Sequence, residues 1–393
     1  SVRKRPPVAP AWAGVVVAAT DREDASGRAL GCSLLLAALS LPGVPTARAD
    51  TPPERAQLSY KYLDYLDFQD GWDRIGVQAH ALSAVLPIAG KWSVESGVTV
   101  DTISGASPAY HSQRLRSAEV KDQREAVDFK VSRYFSRGSL SFSFADSREE
   151  DYLSDAWSLS GSVSTESKNT TLNFGLGITA DEVNVPAVGV VERSKNIYQG
   201  MLGLTQILTP RDIAQLTLTY SSGDGYFSDP YKLRDKRPDY KRQTTVLARW
   251  NHQFAATKGA ARLSYRYYTD TFDVRAHTAT LEYVQPLPQG WTVAPFVRAH
   301  AQSAASFYLE ADNNPFPSVA PRDQLQSQDQ RLSAFGGGSL GVKLSKYVTA
   351  DVLVDFRYER YEQHADWYPF GSQSRGIDPF MADIYQVGVS WYF

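Results

Sequence analysis

The chain has 393 residues with 41 Lys and Arg against 43 Asp and Glu, a formal net charge of −2, so it lacks the basic surplus of a nucleic-acid binder. One Cys excludes a disulfide framework and a thiolate metal site, while 22 Tyr, 17 Phe and 8 Trp supply strand formers in quantity at a mean hydropathy of −0.35. Beyond the N-terminal region no run of about 18 apolar residues occurs, so any membrane crossing falls to strands.

Residues 1–49 read as leader. Cys32 precedes the apolar run Leu34 to Leu41, which is followed by Pro42 and the small-x-small sequence Ala47-Arg48-Ala49, the pattern of a secretory signal cleaved before Asp50. Residues 1–27 read as an over-extended or unstructured start. Without the six basic and three acidic residues of 1–49, the remaining 35 basic and 40 acidic residues give a net charge of −5. Residues 50–393 then form one domain.

From Gln57 onward, alternating runs are separated in turn by short and long polar connections. Leu58 to Phe68 and Arg74 to Ile88 form a first hairpin, and Ala89-Gly90-Lys91 is a tight turn. Next, Trp92, Val94, Val98 and Val100 fall on one face and Ser93, Glu95, Thr99 and Asp101 on the other, the apolar-out, polar-in dyad of a transmembrane barrel. Val127, Phe129 and Val131 repeat it, as do Leu140, Phe142 and Phe144, and Leu172, Phe174, Leu176 and Ile178, whose partners are small. Further strands fall near 195–208, 212–222, 241–254, 260–272, 275–287, 291–306, 328–344, 347–361 and 381–393, about 16 in all. Short turns fall at Gly90, Gly138, Lys168-Asn169, Thr209-Pro210, Lys258-Gly259, Pro288-Gln289-Gly290 and Ser345. Long connections fall near 105–120, 183–194, 223–240, 307–326 and 362–380. This predicts an all-β transmembrane antiparallel barrel with short periplasmic turns and long extracellular loops. A soluble sandwich, the competing architecture, would show a polar outer face.

The final strand ends Tyr385-Gln-Val-Gly-Val-Ser-Trp-Tyr-Phe393. Tyr385, Val387, Val389, Trp391 and Phe393 share one face, and this stretch resembles the closing strand that the outer-membrane assembly machinery reads. The segments Asp101-Thr-Ile-Ser-Gly-Ala-Ser-Pro108, Leu263-Ser-Tyr-Arg-Tyr-Tyr268, Ala276-His-Thr278 and Asp329-Gln-Arg-Leu-Ser-Ala-Phe335 resemble blocks of the bacterial outer-membrane family catalogued as domain of unknown function 3570. The resemblance spans about 58–393. It implies a barrel of Gram-negative outer membranes, brings no catalytic residues with it, and hints at a small lipoprotein or a periplasmic redox partner.

The inward positions of the C-terminal half define the candidate site. They are Arg249, Arg262, Arg266, Glu282, Arg298 with His300, Asp329 with Arg331, and Asp351, Asp355, Arg357 and Glu359. Charges away from bulk water pair with one another, which gives a wall-bracing ladder. The same groups also describe an eyelet whose transverse field orders polar solutes. Six histidines permit a Ser-His arrangement, but no Gly-x-Ser-x-Gly elbow is present, so no enzyme is expected. His80 and His300 are too few for a metal site, and the Asp-Gly loop at 221–231 lacks calcium-loop spacing. Trp92, Trp157, Trp250, Trp291 and Trp391 read as interface girdle. The expected role is passage of small polar solutes across the outer membrane without a cofactor. A closed scaffold housing a lipoprotein or redox partner is the alternative, and a surface enzyme is a third.

Overall fold

Strands that alternate apolar and polar residues bury one face only when the sheet curls, and a sheet that curls until its last strand meets its first leaves no backbone edge unpaired in lipid. The computed structural model, which describes residues 51–69, 72–105, 120–232, 235–310 and 323–393, has this form. The first eight strands are β1 (Gln57–Gln69), β2 (Trp72–Ile88), β3 (Trp92–Gly105), β4 (Val120–Phe135), β5 (Gly138–Arg148), β6 (Tyr152–Ser164), β7 (Thr170–Val185) and β8 (Val190–Thr209). The second eight are β9 (Asp212–Gly225), β10 (Tyr240–Gln253), β11 (Ala260–Asp270), β12 (Arg275–Pro286), β13 (Trp291–Gln302), β14 (Phe335–Tyr347), β15 (Val352–His364) and β16 (Phe380–Tyr392). Each pairs antiparallel with its neighbours in sequence, and β1 pairs β16 from Gln57 opposite Tyr392 to Phe68 opposite Met381, closing the barrel.

The apolar face points outward. Leu58, Leu82, Phe129, Phe142, Leu176, Leu202, Leu263 and Leu340 are exposed, as are Tyr385, Val387, Val389, Trp391 and Phe393. The alternate positions Gln386 and Ser390 are buried inside. A soluble sheet sandwich would invert this arrangement. Trp92, Trp250, Trp291 and Trp391 stand at the short-turn ends of their strands, as a girdle requires, whereas Trp157 sits in the middle of β6.

Three boundaries differ from the sequence reading. The expected loop at 183–194 shrinks to residues 186–189, because β7 and β8 continue pairing up to Val185 and Val190. Just beyond the ends of that expected loop, Lys195 and Asp181 form a wall pair at 3.3 Å, both buried. The strand expected to begin at Gln328 begins at Phe335, so Asp329 and Arg331 lie in the connection before it. The turn expected at Ser345 lies at 348–351, where Thr349 Oγ1 accepts from the backbone N of Asp351 (3.2 Å) and of Val352 (3.0 Å). Such local side-chain bonds compete with the strand ladder. Asp351 therefore leaves the lumen set: it is half exposed on the turn and pairs with Arg55 at 2.6 Å. The expected leader, Cys32 and most of the loop at 105–120 fall outside the described residues.

Candidate functional site: a charged wall inside the barrel

Register fixes which inward side chains share a level. Arg249 on β10 lies opposite Ser264 on β11, Ser264 opposite Thr280 on β12, and Thr280 opposite Arg298 on β13. One step toward the short turns, Arg262 faces Glu282; one step toward the long loops, Arg266 faces Thr278, which faces His300. Period-2 geometry thus carries the predicted residues Arg249, Arg262, Arg266, Glu282, Arg298 and His300 to one wall. Asp355, Arg357 and Glu359 extend it along β15.

Ion pairs bind this wall together. Glu282 accepts from Arg262 (3.0 Å) and from Lys343 Nζ (2.6 Å). Glu359 holds Arg298 at 3.2 Å and also pairs with Arg357. Asp355 lies over Gly388 of β16, where a Cβ would meet its carboxylate, and on the other side of Gly388 stands Lys61 of β1. Thr278 Oγ1 and His300 Nδ1 are 2.9 Å apart. Among the described residues the guanidinium of Arg249 meets Gln215 Oε1 alone, at 3.4 Å.

Asp329 and Arg331 belong to a second cluster, built by two long connections over the β9 to β13 side of the mouth. Arg331 donates to Asp329 and, at 2.8 Å, to Asp229; Arg237 donates to Asp329 (2.8 Å) and Asp235 (2.9 Å). Backbone bonds between Lys236 and Gln326 join 235–239 of the β9–β10 connection to 323–334 of the β13–β14 connection. Beneath them Phe227, Phe272, Phe307 and Leu332 pack with the lumen-facing Tyr268 and Ala276, and Gln302 donates to the carbonyls of Arg331 and Ser333. Burial raises the Asp329 carboxyl, but Arg331, Lys232 and Arg237 overcome it and hold the group well below the usual carboxylate range. Asp235 is pushed up, by burial first and by Asp229 in addition, against the pull of Arg237.

The remaining histidines are distributed differently. His80 points outward beside Tyr60 and Tyr62, with Tyr60 Oη 2.8 Å from its Nδ1, so it does not meet His300 in the lumen. His277 repeats the arrangement with Tyr265 (2.7 Å) and Tyr267 on the outer face of β11 and β12. Among the described residues no three His, Cys, Asp or Glu side chains are grouped to hold a metal ion.

Sequence reasoning missed Lys343, Lys61, Arg124 as the buried partner of the inward Asp101 (2.5 Å), and Arg74 with Asp67 (3.6 Å). Strand parity places Lys343, Lys61, Arg124, Asp101 and Asp67 inside, but it sets Arg74 outside; Arg74 enters at the β-bulge where the β1–β2 register shifts between Asp67 and Phe68. No local signal reveals the loop cluster, whose partners lie 92 to 102 residues apart.

Among solved structures, a bacterial polysaccharide outer membrane secretin is similar over 86% of this chain and 98% of its own, with a TM-score of 0.53 and 9% identity. Pseudomonas aeruginosa OccK2 (OpdF) in complex with glucuronate is similar over 88% and 99%, at a TM-score of 0.44 and 10% identity. The CymD monoaromatic hydrocarbon channel matches over 86% and 89%, at 0.43 and 11%. At such identities the likeness shows the fold, that of a bacterial outer-membrane barrel. No curated protein matches the chain. The family model described as protein of unknown function DUF3570 matches residues 31–194 and 187–378, and the chain belongs to that family of outer-membrane β-barrels.

Proposed function

We propose that this outer-membrane barrel is a passive channel for small polar solutes, with the charged wall as its selecting constriction and no catalytic step. The observation that carries the reading is the contrast between the two sides of the lumen. The β10 to β15 side presents the ion-pair ladder, whereas the mid-strand inward positions of β5 to β7 are small and uncharged: Ser143, Ser158, Ser160, Gly175 and Gly177, all partly exposed. A closed barrel of this strand number is wide enough for an aqueous channel. Small residues on one side preserve width, and charges on the other orient a polar solute in transit. The outward face from Tyr385 to Phe393 is the surface offered to the barrel assembly machinery.

A second reading, a closed sleeve that anchors a small lipoprotein or periplasmic redox partner, is favoured by an inward apolar cluster that is already buried within the chain and fills its side of the lumen: Leu63, Tyr65, Ile75, Val77, Ala79, Ala81, Ala382 and Ile384. Liposome swelling separates the two. Vesicles containing the refolded protein should swell in small sugars and amino acids at rates that fall with solute size. A folded, heat-modifiable barrel that supports no swelling would favour the sleeve.

A further inference from the structure

The charge on the β10 to β15 wall does not balance. Below the pair formed by Lys241 and Asp270 (3.5 Å), the inward cations are Arg249, Arg262, Arg266, Arg298, Lys343 and Arg357. Glu282 and Glu359 each serve two of them, and Asp355 lies over Gly388 toward Lys61. Among the described residues Arg249 has no carboxylate partner, only the long bond to Gln215. A guanidinium presents five donors in a planar fork, and one amide oxygen at 3.4 Å leaves most of them unmet. The register sets two hydroxyls, Ser264 and Thr280, between Arg249 and Arg298, so two cationic forks flank a pair of neutral donors along one level. That sequence of groups matches an oxyanion, which takes a bidentate contact from Arg and further hydrogen bonds from hydroxyls. The opposite side of the barrel, at β3 and β4, carries Glu95 and Asp128 around Lys130, with Lys130 3.2 Å from Glu95. An anion is therefore pushed toward Arg249 and a cation away from it.

We infer that Arg249, with Ser264 and Thr280, forms an oxyanion step on the lumen wall, and that the solutes passed are small carboxylates or phosphates. The inference rests on the channel reading above and names its solute class.

The test is the zero-current potential of the purified barrel in a planar bilayer under a potassium chloride gradient, followed by bi-ionic runs with acetate and with inorganic phosphate. The native protein should be anion-selective, with at least one of the two oxyanions permeant; which one tells carboxylate from phosphate. Arg249→Gln should lower the permeability to anions about fivefold, the effect of one unit charge about 4 Å from a passing ion in water-like surroundings, and should lower the anion-to-cation ratio by more. Arg249→Lys should keep the sign of selectivity but lose part of the oxyanion permeability, because an ammonium is no planar fork. Arg133→Gln, which removes an outward guanidinium stacked 4.8 Å from the Trp92 ring, should change nothing. A conducting barrel that prefers cations, or one indifferent to Arg249→Gln, overturns the oxyanion step and leaves the channel standing. A folded barrel with no conductance overturns both.

Discussion

Glu359 is the perturbation that speaks most directly to the wall. Its carboxylate is 2% exposed and binds two guanidiniums, those of Arg298 and Arg357, which are 28% and 16% exposed. Glu359→Gln keeps the size and removes the charge, leaving two cations facing one another. Removing one partner of a fully buried pair costs about 3–5 kcal/mol. Lumen water reaches Arg298 in part, so about 2–3 kcal/mol is expected here, after discounting for that screening. Urea unfolding of the refolded barrel in detergent micelles, followed by tryptophan fluorescence and by the gel shift on heating, reads this as a lower midpoint. The double variant Glu359→Gln with Arg357→Gln should recover part of the loss, giving a coupling within the range of about 0.5–3 kcal/mol found for contacting residues. An unchanged midpoint for the single variant would show that the wall sits in bulk-like water, and the ladder would then have no structural meaning.

Other consequences are equally open to measurement. Leu340, outward and 68% exposed in mid-strand, should lose about 2–4 kcal/mol on Leu340→Arg, whereas Val352→Arg, at the first residue of β15 near the interface, should cost about 0–1 kcal/mol. Equal costs at the two sites in vesicle unfolding would contradict the assigned depth. At Gly341 an added Cβ would meet Phe296 Cζ at 2.4 Å and the backbone O of Tyr358 at 2.6 Å, so Gly341→Ala should destabilise by about 1–3 kcal/mol, and a neutral effect would refute that close approach.

The loop cluster carries a pH signature. Asp329 is held below its unfolded value of about 3.9, so its contribution is complete above that value and is lost as pH falls through the lower folded one. Asp235 has the opposite sign, contributing at low pH and losing that contribution as pH rises through its raised value. Protection against hydrogen exchange in 226–232 and 323–334, relative to the intrinsic rate at each pH, should thus be as large at pH 5 as at pH 7, and Asp329→Asn should lower it at both. Release of these segments already at pH 5 would refute the assignment.

The fold was legible because a lipid-facing barrel writes itself in period 2. Val127, Phe129 and Val131, or Leu172 to Ile178, have one possible sidedness once the apolar face is outside. The same parity carried Arg249, Arg262, Arg266, Glu282, Arg298 and His300 to one wall. It failed where local side-chain chemistry interrupts a strand: Thr349 turns the chain and takes Asp351 out of the lumen, and the Asp329 side chain caps Arg331 N at 3.0 Å and holds a 3₁₀ turn where a strand was expected. The loop cluster was illegible for another reason. Asp229, Arg237 and Arg331 meet only because β9, β10, β13 and β14 bring their connections to the same side of the mouth.

The central claim is that the lumen conducts. Single-channel recording from the purified, refolded chain in a planar bilayer tests it directly. Discrete, steady conductance steps that grow with salt concentration are the predicted result, altered in size by Arg298→Ala within the wall. Silence from protein that is inserted, folded and heat-modifiable would contradict it and leave a sealed barrel acting as a scaffold.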